Sequence, residues 1–156
     1  MRNRLAASVA VLITTTLVQT IARSEEDVDV KAVIEGRQAN LRDLGAAFKA
    51  ITDELKKPSP ALAVIRQYSR QVDDLARQQR FWYPAGSGAE SRIDTAAKAE
   101  IWTHPKEFAD AQQALIEQAA VFMKAAEAGD LANIKTQQRA LGGTCKHCHA
   151  VFREEE

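Results

Sequence analysis

The sequence predicts an all-α fold, an antiparallel four-helix bundle. Four long segments carry apolar residues at intervals of three and four positions, the spacing of one face of an amphipathic helix. Helix-capping and helix-breaking residues lie between these segments. The composition, 46% apolar and 27% charged residues in a chain of 156, is that of a single soluble domain. Together these observations predict four helices packed around one core.

The first predicted helix spans Val30 to Leu55 and ends before Pro58, which cannot continue a helix. Arg37 departs from its apolar stripe, because a guanidinium stands where an aliphatic side chain is expected. A buried charge requires a partner. Either Arg37 has an anionic partner inside the fold, or its long side chain carries the charge to solvent along the bundle edge. The other residues of the stripe are Ile34, Leu41, Leu44, Phe48, Ile51 and Leu55.

The second and third helices are bounded by similar signals. The second is predicted to begin at Pro60, with Ser59 as its N-cap, and to end near Arg80. The third begins near residues 103–105 and ends at Gly129, a residue typical of helix C-termini. Both segments repeat the spacing of the first helix, so each is expected to turn one apolar face to the core.

The connection between these two helices has roughly twenty residues, up to Trp102, and is longer than most loops in a compact domain. Aromatic residues at 81–83 and at Trp102 indicate that it is anchored to one end of the bundle. Ordinary packing and contact with a cofactor explain these aromatics equally well. We expect a short helical turn at residues 95–99, and we include Thr95 among the predicted cofactor-binding residues.

The fourth predicted helix starts at an Asp130 cap and carries both cysteines of the chain. Its apolar stripe includes Cys145 and Cys148, so both thiols are expected to face the core. Gly142 and Gly143, poor helix formers, precede the first cysteine. They either leave room for a group to approach the backbone or mark a kink in the helix.

The run Cys145-Lys146-His147-Cys148-His149 has the spacing of a c-type haem attachment site. Two thiols three residues apart on one helical face can form thioethers with the two vinyl groups of a haem. The adjacent imidazole can then bind the iron. A redox dithiol usually occurs in a βαβ pattern that this chain lacks, and a zinc site needs two further ligands. The motif therefore predicts one covalent haem c, attached inside the bundle.

Residues 1–24 have the character of a secretory signal peptide that is cleaved off. A basic start leads into an apolar run at residues 5–13, and small residues precede the predicted cleavage after Ser24 or, alternatively, Ala22. The apolar run is too short for a membrane span. We therefore predict export to the periplasm and a mature domain of residues 25–156.

The charge of this mature domain limits its partners. Removal of residues 1–24 takes away three arginines and no acids, which leaves 18 basic against 21 acidic residues and a net charge of −3. Neither nucleic acid nor a membrane surface is an expected partner after processing. Both cysteines belong to the haem motif, so no disulfide is expected.

The chain resembles the cytochrome c′ family, the class II c-type cytochromes. The resemblance rests on the four helices, the export signal and several short segments. It also rests on the C-terminal position of the haem motif, which single-haem cytochromes of the other large class carry near the N-terminus. The matching segments are Arg37-Gln38-x-x-Leu41, residues 44–50, Pro84-Ala85-Gly86, Glu100-Ile101-Trp102, Ala128-Gly129-Asp130, and residues 141–149 together with Arg153.

The resemblance implies a role for each matching residue. It implies that His149 is the sole protein ligand of the iron and that Arg37 and Gln38 lie near the haem propionates. It also implies that Leu41, where low-spin relatives have methionine, covers the open iron face, and that Arg153 flanks the proximal side. The predicted cofactor-binding residues are thus Cys145, Cys148, His149, Arg37, Gln38, Leu41, Thr95 and Arg153, with His149 as the metal ligand.

Two functions of different classes remain. A five-coordinate haem would bind small diatomic gases, NO and CO, with NO scavenging as its use, and Leu41 favours this function. A periplasmic electron carrier, which exchanges electrons with redox partner proteins, would need another axial ligand, for which the candidates are Met123, His104 and His147. The sequence shows no catalytic triad, phosphate loop or second metal cluster, so no enzyme activity is expected.

The resemblance also implies a homodimer formed through the first two helices. Small side chains at Ala46, Ala47 and Ala50 would permit close contact between helices of two chains. Burial within a single chain explains these alanines equally well.

Overall fold

The computed structural model describes residues 29–154, which form an antiparallel bundle of four long helices and confirm the predicted all-α fold. The predicted signal peptide, residues 1–24, lies outside the described residues. No helix within residues 29–154 is long and apolar enough to cross a membrane. The helices are α1 (Val30–Leu55), α2 (Leu62–Gln78), the single turn α3 (Glu100–Thr103), α4 (Pro105–Ala128) and α5 (Leu131–Phe152), with 3-10 turns at Gln79–Phe81 and Ala89–Ser91.

The ends of α1, α4 and α5 follow from local sequence. The Asp29 carboxylate accepts a hydrogen bond of 3.1 Å from the backbone N–H of Ala32, and Asp130 accepts one of 3.0 Å from Ala132. Each aspartate therefore satisfies a helix N–H that has no partner within its helix. Gly129 ends α4 at a φ of 82°, a left-handed conformation that glycine adopts without strain. The predicted caps at Gly129 and Asp130 are confirmed.

The start of α2 differs from the prediction. Ser59 and Pro60 lie in the connecting turn, and the N-cap position is held by Ala61, so the predicted serine cap is wrong. The Glu54 carboxylate of α1 accepts a hydrogen bond of 2.8 Å from the Ala61 N–H and pairs with Lys57 at 2.6 Å. A carboxylate from the preceding helix thus binds a backbone donor at the start of α2.

The four long helices are not packed equally closely. α1 packs on α2, α2 on α4 and α4 on α5, whereas α1 and α5 approach each other less closely. These two helices do meet where Gln138 donates a hydrogen bond of 3.0 Å to the Thr52 hydroxyl. One turn further along α5, a Cβ at Gly142 would lie only 3.3 Å from the Phe48 ring. The largest fully buried apolar side chains of the core are Phe122, Ile34, Ile51, Ile65, Ile134, Leu141 and Val72.

The long connection between α2 and α4 is tied to the end of α5. Ala97 forms an isolated antiparallel bridge with Arg153, the Lys98 N–H donates to the Phe152 carbonyl at 3.1 Å, and the Glu154 N–H donates to the Ala96 carbonyl at 2.9 Å. The helical turn predicted at residues 95–99 is therefore wrong. The backbone groups there pair with the last residue of α5 and with the residues after it, not with one another.

Candidate functional site

A cavity of about 690 Å³ lies between α1 and α5. This volume falls in the range of cofactor sites, ~300–1,000 Å³. The cavity occupies the side of the bundle where the two helices diverge from their contact at Thr52 and Gln138. Its lining includes all the predicted cofactor-binding residues, namely Cys145, Cys148, His149, Arg37, Gln38, Leu41, Thr95 and Arg153.

The two thiols on the cavity wall have raised pKa values, unlike the thiols of a redox pair. Burial raises the pKa of Cys145, and it raises the pKa of Cys148 to about 11, with the neighbouring Cys145 as a second cause. A redox dithiol has a lowered pKa, so this environment disfavours that alternative. The zinc alternative lacks its ligand set, because no group of three or more His, Cys, Asp or Glu side chains comes together among residues 29–154.

His149 lines the same cavity one helical turn before Arg153. Partial burial lowers the pKa of the imidazole, and the positive charge of Arg153 lowers it further. A lower pKa favours the neutral imidazole, the form that binds a metal ion. Its environment therefore suits His149 to bind iron.

Arg37 is buried, with 2% of its surface exposed, which shows that the solvent-directed alternative for this side chain is wrong. Its guanidinium donates hydrogen bonds to the Ser87 hydroxyl at 3.0 Å, the Ser87 carbonyl at 2.9 Å and the Thr95 hydroxyl at 2.9 Å. A longer bond of 3.4 Å reaches the Trp82 carbonyl, and the guanidinium lies 4.8 Å from the centre of the Tyr83 ring. Arg37 thereby holds the connection between α2 and α4 against α1.

These hydrogen bonds leave the charge of Arg37 incompletely compensated, because all the acceptors are neutral. Burial lowers the pKa of the guanidinium, while Tyr83 and Glu90 partly oppose the effect. A buried cation without an anion beside it is costly. The adjacent Gln38 amide donates to the Asp94 carbonyl at 2.9 Å and also lines the cavity. This end of the cavity is therefore suited to an anionic group.

The contacts between α1 and α5 set which residues face each other across the cavity. The two helices are antiparallel, and both rise about 1.5 Å per residue. Starting from the close approach of Phe48 to Gly142, seven residues back along α1 lead to Leu41, and seven residues forward along α5 lead to His149. Leu41 and His149 therefore lie at the same level of the bundle, on opposite walls.

The aromatic residues of the long connection take different roles. Tyr83 lines the cavity and packs edge-on against Phe108 at 4.8 Å, and Phe108 packs likewise against Phe152 at 5.1 Å. Burial raises the pKa of Tyr83 to about 12, so its phenol is neutral. Trp102 packs against Tyr83, whereas Phe81 is 77% exposed. Tyr83 thus both lines the cavity and packs at the end of the bundle.

The structure adds Gln79 to the cavity, a residue that the sequence reasoning missed. It is 4% exposed and follows the last residue of α2. Its side-chain Nε2 is buried without a hydrogen-bond partner, and no other side-chain nitrogen or oxygen among residues 29–154 is in that state. In the sequence, Gln79 continues the inward-facing positions of α2, seven residues after Val72. It stands in a run of polar residues and so did not stand out.

An all-helical bundle whose last helix presents a Cys-x-x-Cys-His motif to an internal cavity defines a c-type cytochrome of the four-helix-bundle class. The residues present fit a haem c: two thiols and an imidazole share one wall, and a buried cation stands at one end. The cavity is also of suitable size for a cofactor.

Comparison with known proteins gives the family. The sequence model described as Cytochrome C' matches residues 32–153. The cytochrome c′ of Rhodospirillum rubrum is 30% identical over 154 residues, 99% of each chain. The solved cytochrome c′ of Shewanella frigidimarina has a TM-score of 0.75 and 30% identity, and the match covers 82% of this chain and 98% of that one. A nitric oxide complex of a cytochrome c′ mutant from Alcaligenes xylosoxidans has a TM-score of 0.74 at 23% identity, with 82% and 98% covered.

The chain therefore belongs to the cytochrome c′ family. It is a c-type cytochrome, and its cofactor is one covalent haem c, for which Cys145 and Cys148 supply the attachment motif.

Proposed function

We propose that this cytochrome has a five-coordinate, high-spin haem that binds NO and CO, that its use is NO scavenging, and that it acts as a binding protein and not as an enzyme. The observation that carries this proposal is the pairing of Leu41 with His149 across the cavity. A leucine side chain has no lone pair to offer iron, so the position facing His149 stays open to an external ligand.

The other residues of the cavity support an open coordination site. Met123, His104 and His147, the candidates for a second axial ligand, do not line the cavity. The solved relative from Alcaligenes xylosoxidans is itself a nitric oxide complex. A plain electron carrier is less well supported, because such a protein favours two strong axial ligands that keep the iron geometry similar in both oxidation states.

The residues of the cavity have distinct roles in this proposal. Cys145 and Cys148 form the thioethers, and His149 binds the iron. Arg37 and Gln38 hold the haem propionates, which supply the anion that the buried guanidinium lacks. Thr95 orients Arg37 through its hydroxyl, and Arg153 lies on the proximal side near His149. The haem iron, when bound, supplies reversible ligand binding and one-electron redox chemistry.

The experiment that tests this proposal is the absorption spectrum of the purified ferrous protein, with and without CO. We expect a high-spin spectrum with a broad visible band, which changes to the spectrum of a six-coordinate complex when CO is added. Sharp, split visible bands that do not respond to CO would show that a second residue binds the iron. Electron transfer would then be the better assignment.

We also propose that residues 1–24 are a signal peptide and that the protein acts in the periplasm. The relative from Rhodospirillum rubrum aligns with 99% of this chain, and so with most of the predicted signal segment. Mass spectrometry of the periplasmic protein should find one added haem and a chain that starts close to residue 25. A haem-free mass from cells competent in cytochrome maturation would contradict the attachment, and an uncleaved N-terminus would contradict the processing.

We also propose that the chain forms a homodimer through α1 and α2. We further propose that it exchanges electrons with redox partner proteins. Ala47 is buried within the bundle core, so packing within the chain explains that residue. Ala46 is exposed, so packing within the chain does not explain it. Sedimentation of the wild type and of Ala46→Arg would test the dimer. We expect the arginine to weaken it, and a monomeric wild type would contradict it.

A further inference from the structure

The buried amide of Gln79 is the polar group of the cavity that the proposed function does not use. Its Nε2 has no hydrogen-bond partner, and leaving such a donor buried and unpaired destabilises the fold. The backbone beside it is well held, because Gln112 of α4 donates a hydrogen bond of 3.3 Å to the Gln79 carbonyl. An unpaired donor on a supported backbone at a cavity wall is suited to a ligand inside the cavity.

The packing of α1 on α2 gives the level of Gln79 in the bundle. Arg37 reaches the Trp82 carbonyl, and from this contact the antiparallel chains can be followed in opposite directions. Four residues forward along α1 lead to Leu41, and three residues back from Trp82 lead to Gln79. Gln79 therefore lies level with Leu41, and through Leu41 level with His149.

At this position along the bundle, Gln79 lies away from the end of the cavity suited to an anionic group. Arg37 stands one helical turn away from Leu41, about 6 Å along α1. A donor that served the propionates would be expected at the level of Arg37. A donor level with Leu41 and His149 lines the cavity at the height along the bundle where an external ligand of the iron would bind.

We propose that the side-chain amide of Gln79 donates a hydrogen bond to the diatomic ligand on the haem iron and thereby determines ligand specificity. This inference rests on the proposed function, since it requires an open coordination site. The amide favours ligands whose outer atom gains negative charge when they bind ferrous iron. NO is therefore held more firmly than in a pocket walled only by aliphatic side chains such as Leu41.

The test uses the haem-loaded ferrous protein with CO as the probe, in the wild type and in Gln79→Leu. A hydrogen-bond donor near CO strengthens back-donation from the iron and lowers the C–O stretching frequency. We expect this frequency to rise in Gln79→Leu. A net hydrogen bond of about 0.5–1.5 kcal/mol corresponds to CO and NO dissociation that is roughly two- to tenfold faster in this variant.

Two further variants keep the test independent of folding. Gln79→Glu preserves the side-chain shape but, when ionised, loses the N–H donors, so its C–O frequency should also rise. Gln118→Leu is the matched control, because Gln118 is a partly buried glutamine of α4 that pairs with Gln137 and does not line the cavity. This control should leave both the frequency and the dissociation rates unchanged.

The outcomes separate this inference from the proposed function. A wild type that binds CO, with the same C–O frequency in the wild type and in both Gln79 variants, would contradict the role of Gln79 alone. A shift of the reduction potential in Gln79→Leu without a shift of the C–O frequency would assign the amide to the haem itself and would also overturn the inference. A ferrous wild type that does not respond to CO would overturn both proposals.

Discussion

Gln138 of α5 donates a hydrogen bond to the Thr52 hydroxyl of α1, and this contact sets the register of the two helices that enclose the cavity. Thr52 in turn donates to the Phe48 carbonyl at 2.9 Å, so its hydroxyl is fixed from both sides. One turn closer to the cavity, Gly142 lets the Phe48 ring approach the backbone of α5. The same register places Leu41 opposite His149, and the first prediction depends on it.

Leu41 should control ligand access to the iron. Leu41→Ala removes the side chain that fills the space opposite His149, so CO association measured by stopped flow should become faster. Leu41→Met supplies a thioether at the same level, and we expect a low-spin spectrum and weakened CO binding, because the sixth position is then occupied. Leu131→Ala, a change outside the cavity, is the control. Unchanged CO association in Leu41→Ala would contradict the assignment.

Replacing Arg37 should lower both the stability of the protein and the reduction potential of the haem. Arg37→Leu removes the donor to Ser87 and Thr95 and leaves their oxygens without that partner, so the protein should lose about 2 kcal/mol or more of stability. Loss of a positive charge near the haem should also lower its reduction potential, because the charge favours the ferrous state. Arg42→Leu, at an exposed arginine that also lines the cavity, is the matched control. Equal effects of the two substitutions would argue against a special role for Arg37.

The two glycines before the haem motif should respond differently to substitution. A Cβ at Gly143 meets nothing within 4 Å, so Gly143→Ala should stabilise α5 by about 0.5–1 kcal/mol, the difference in helix propensity. A Cβ at Gly142 already lies 3.3 Å from the Phe48 ring, and the larger Gly142→Val should cost about 1–3 kcal/mol through overpacking. Thermal unfolding of both variants checks the prediction, and the same sign for the two would refute it.

Glu54 should make stability depend on pH. The hydrogen bonds from Lys57 and from the Ala61 N–H lower the pKa of its carboxyl. A lowered pKa means that the contribution of Glu54 is present above the ordinary carboxyl pKa and is lost as the pH falls through the lower, folded value. Glu54→Gln should therefore lower the melting temperature at pH 7, with a difference that shrinks below about pH 4. Glu35→Gln, at an exposed ion pair with Lys31, should show little effect at either pH.

The features that sequence alone could predict were local or periodic. The bounds of α1 followed from its apolar spacing, and the cysteines were placed on the inner face of α5 by the same rule. The resemblance to cytochrome c′ added Gln38, Leu41 and Arg153, which the fold brings to one cavity. Periodicity alone had not distinguished these positions from ordinary core or surface residues.

The features that could not be predicted depend on partners distant in the chain. The N–H at the start of α2 is bound by Glu54 and not by the nearby Ser59. Residues 96–98 are not helical, because their backbone pairs with the end of α5 and the residues after it. Arg37 was an ambiguous position until its acceptors, 50 and 58 residues away, were known. Gln79 carried no recognisable motif, and only its burial without a partner identifies it.

The bond between Thr52 and Gln138 also bears on the order in which the protein assembles. It joins residues 86 positions apart, so it forms only after nearly the whole chain is present. Loop closure over such a distance is slow and entropically costly compared with the pairing of α1 with α2 or of α4 with α5. We therefore expect the two helical hairpins to form early and the cleft between α1 and α5 to close last. The thiols of Cys145 and Cys148 should therefore be accessible for haem attachment before this cleft closes.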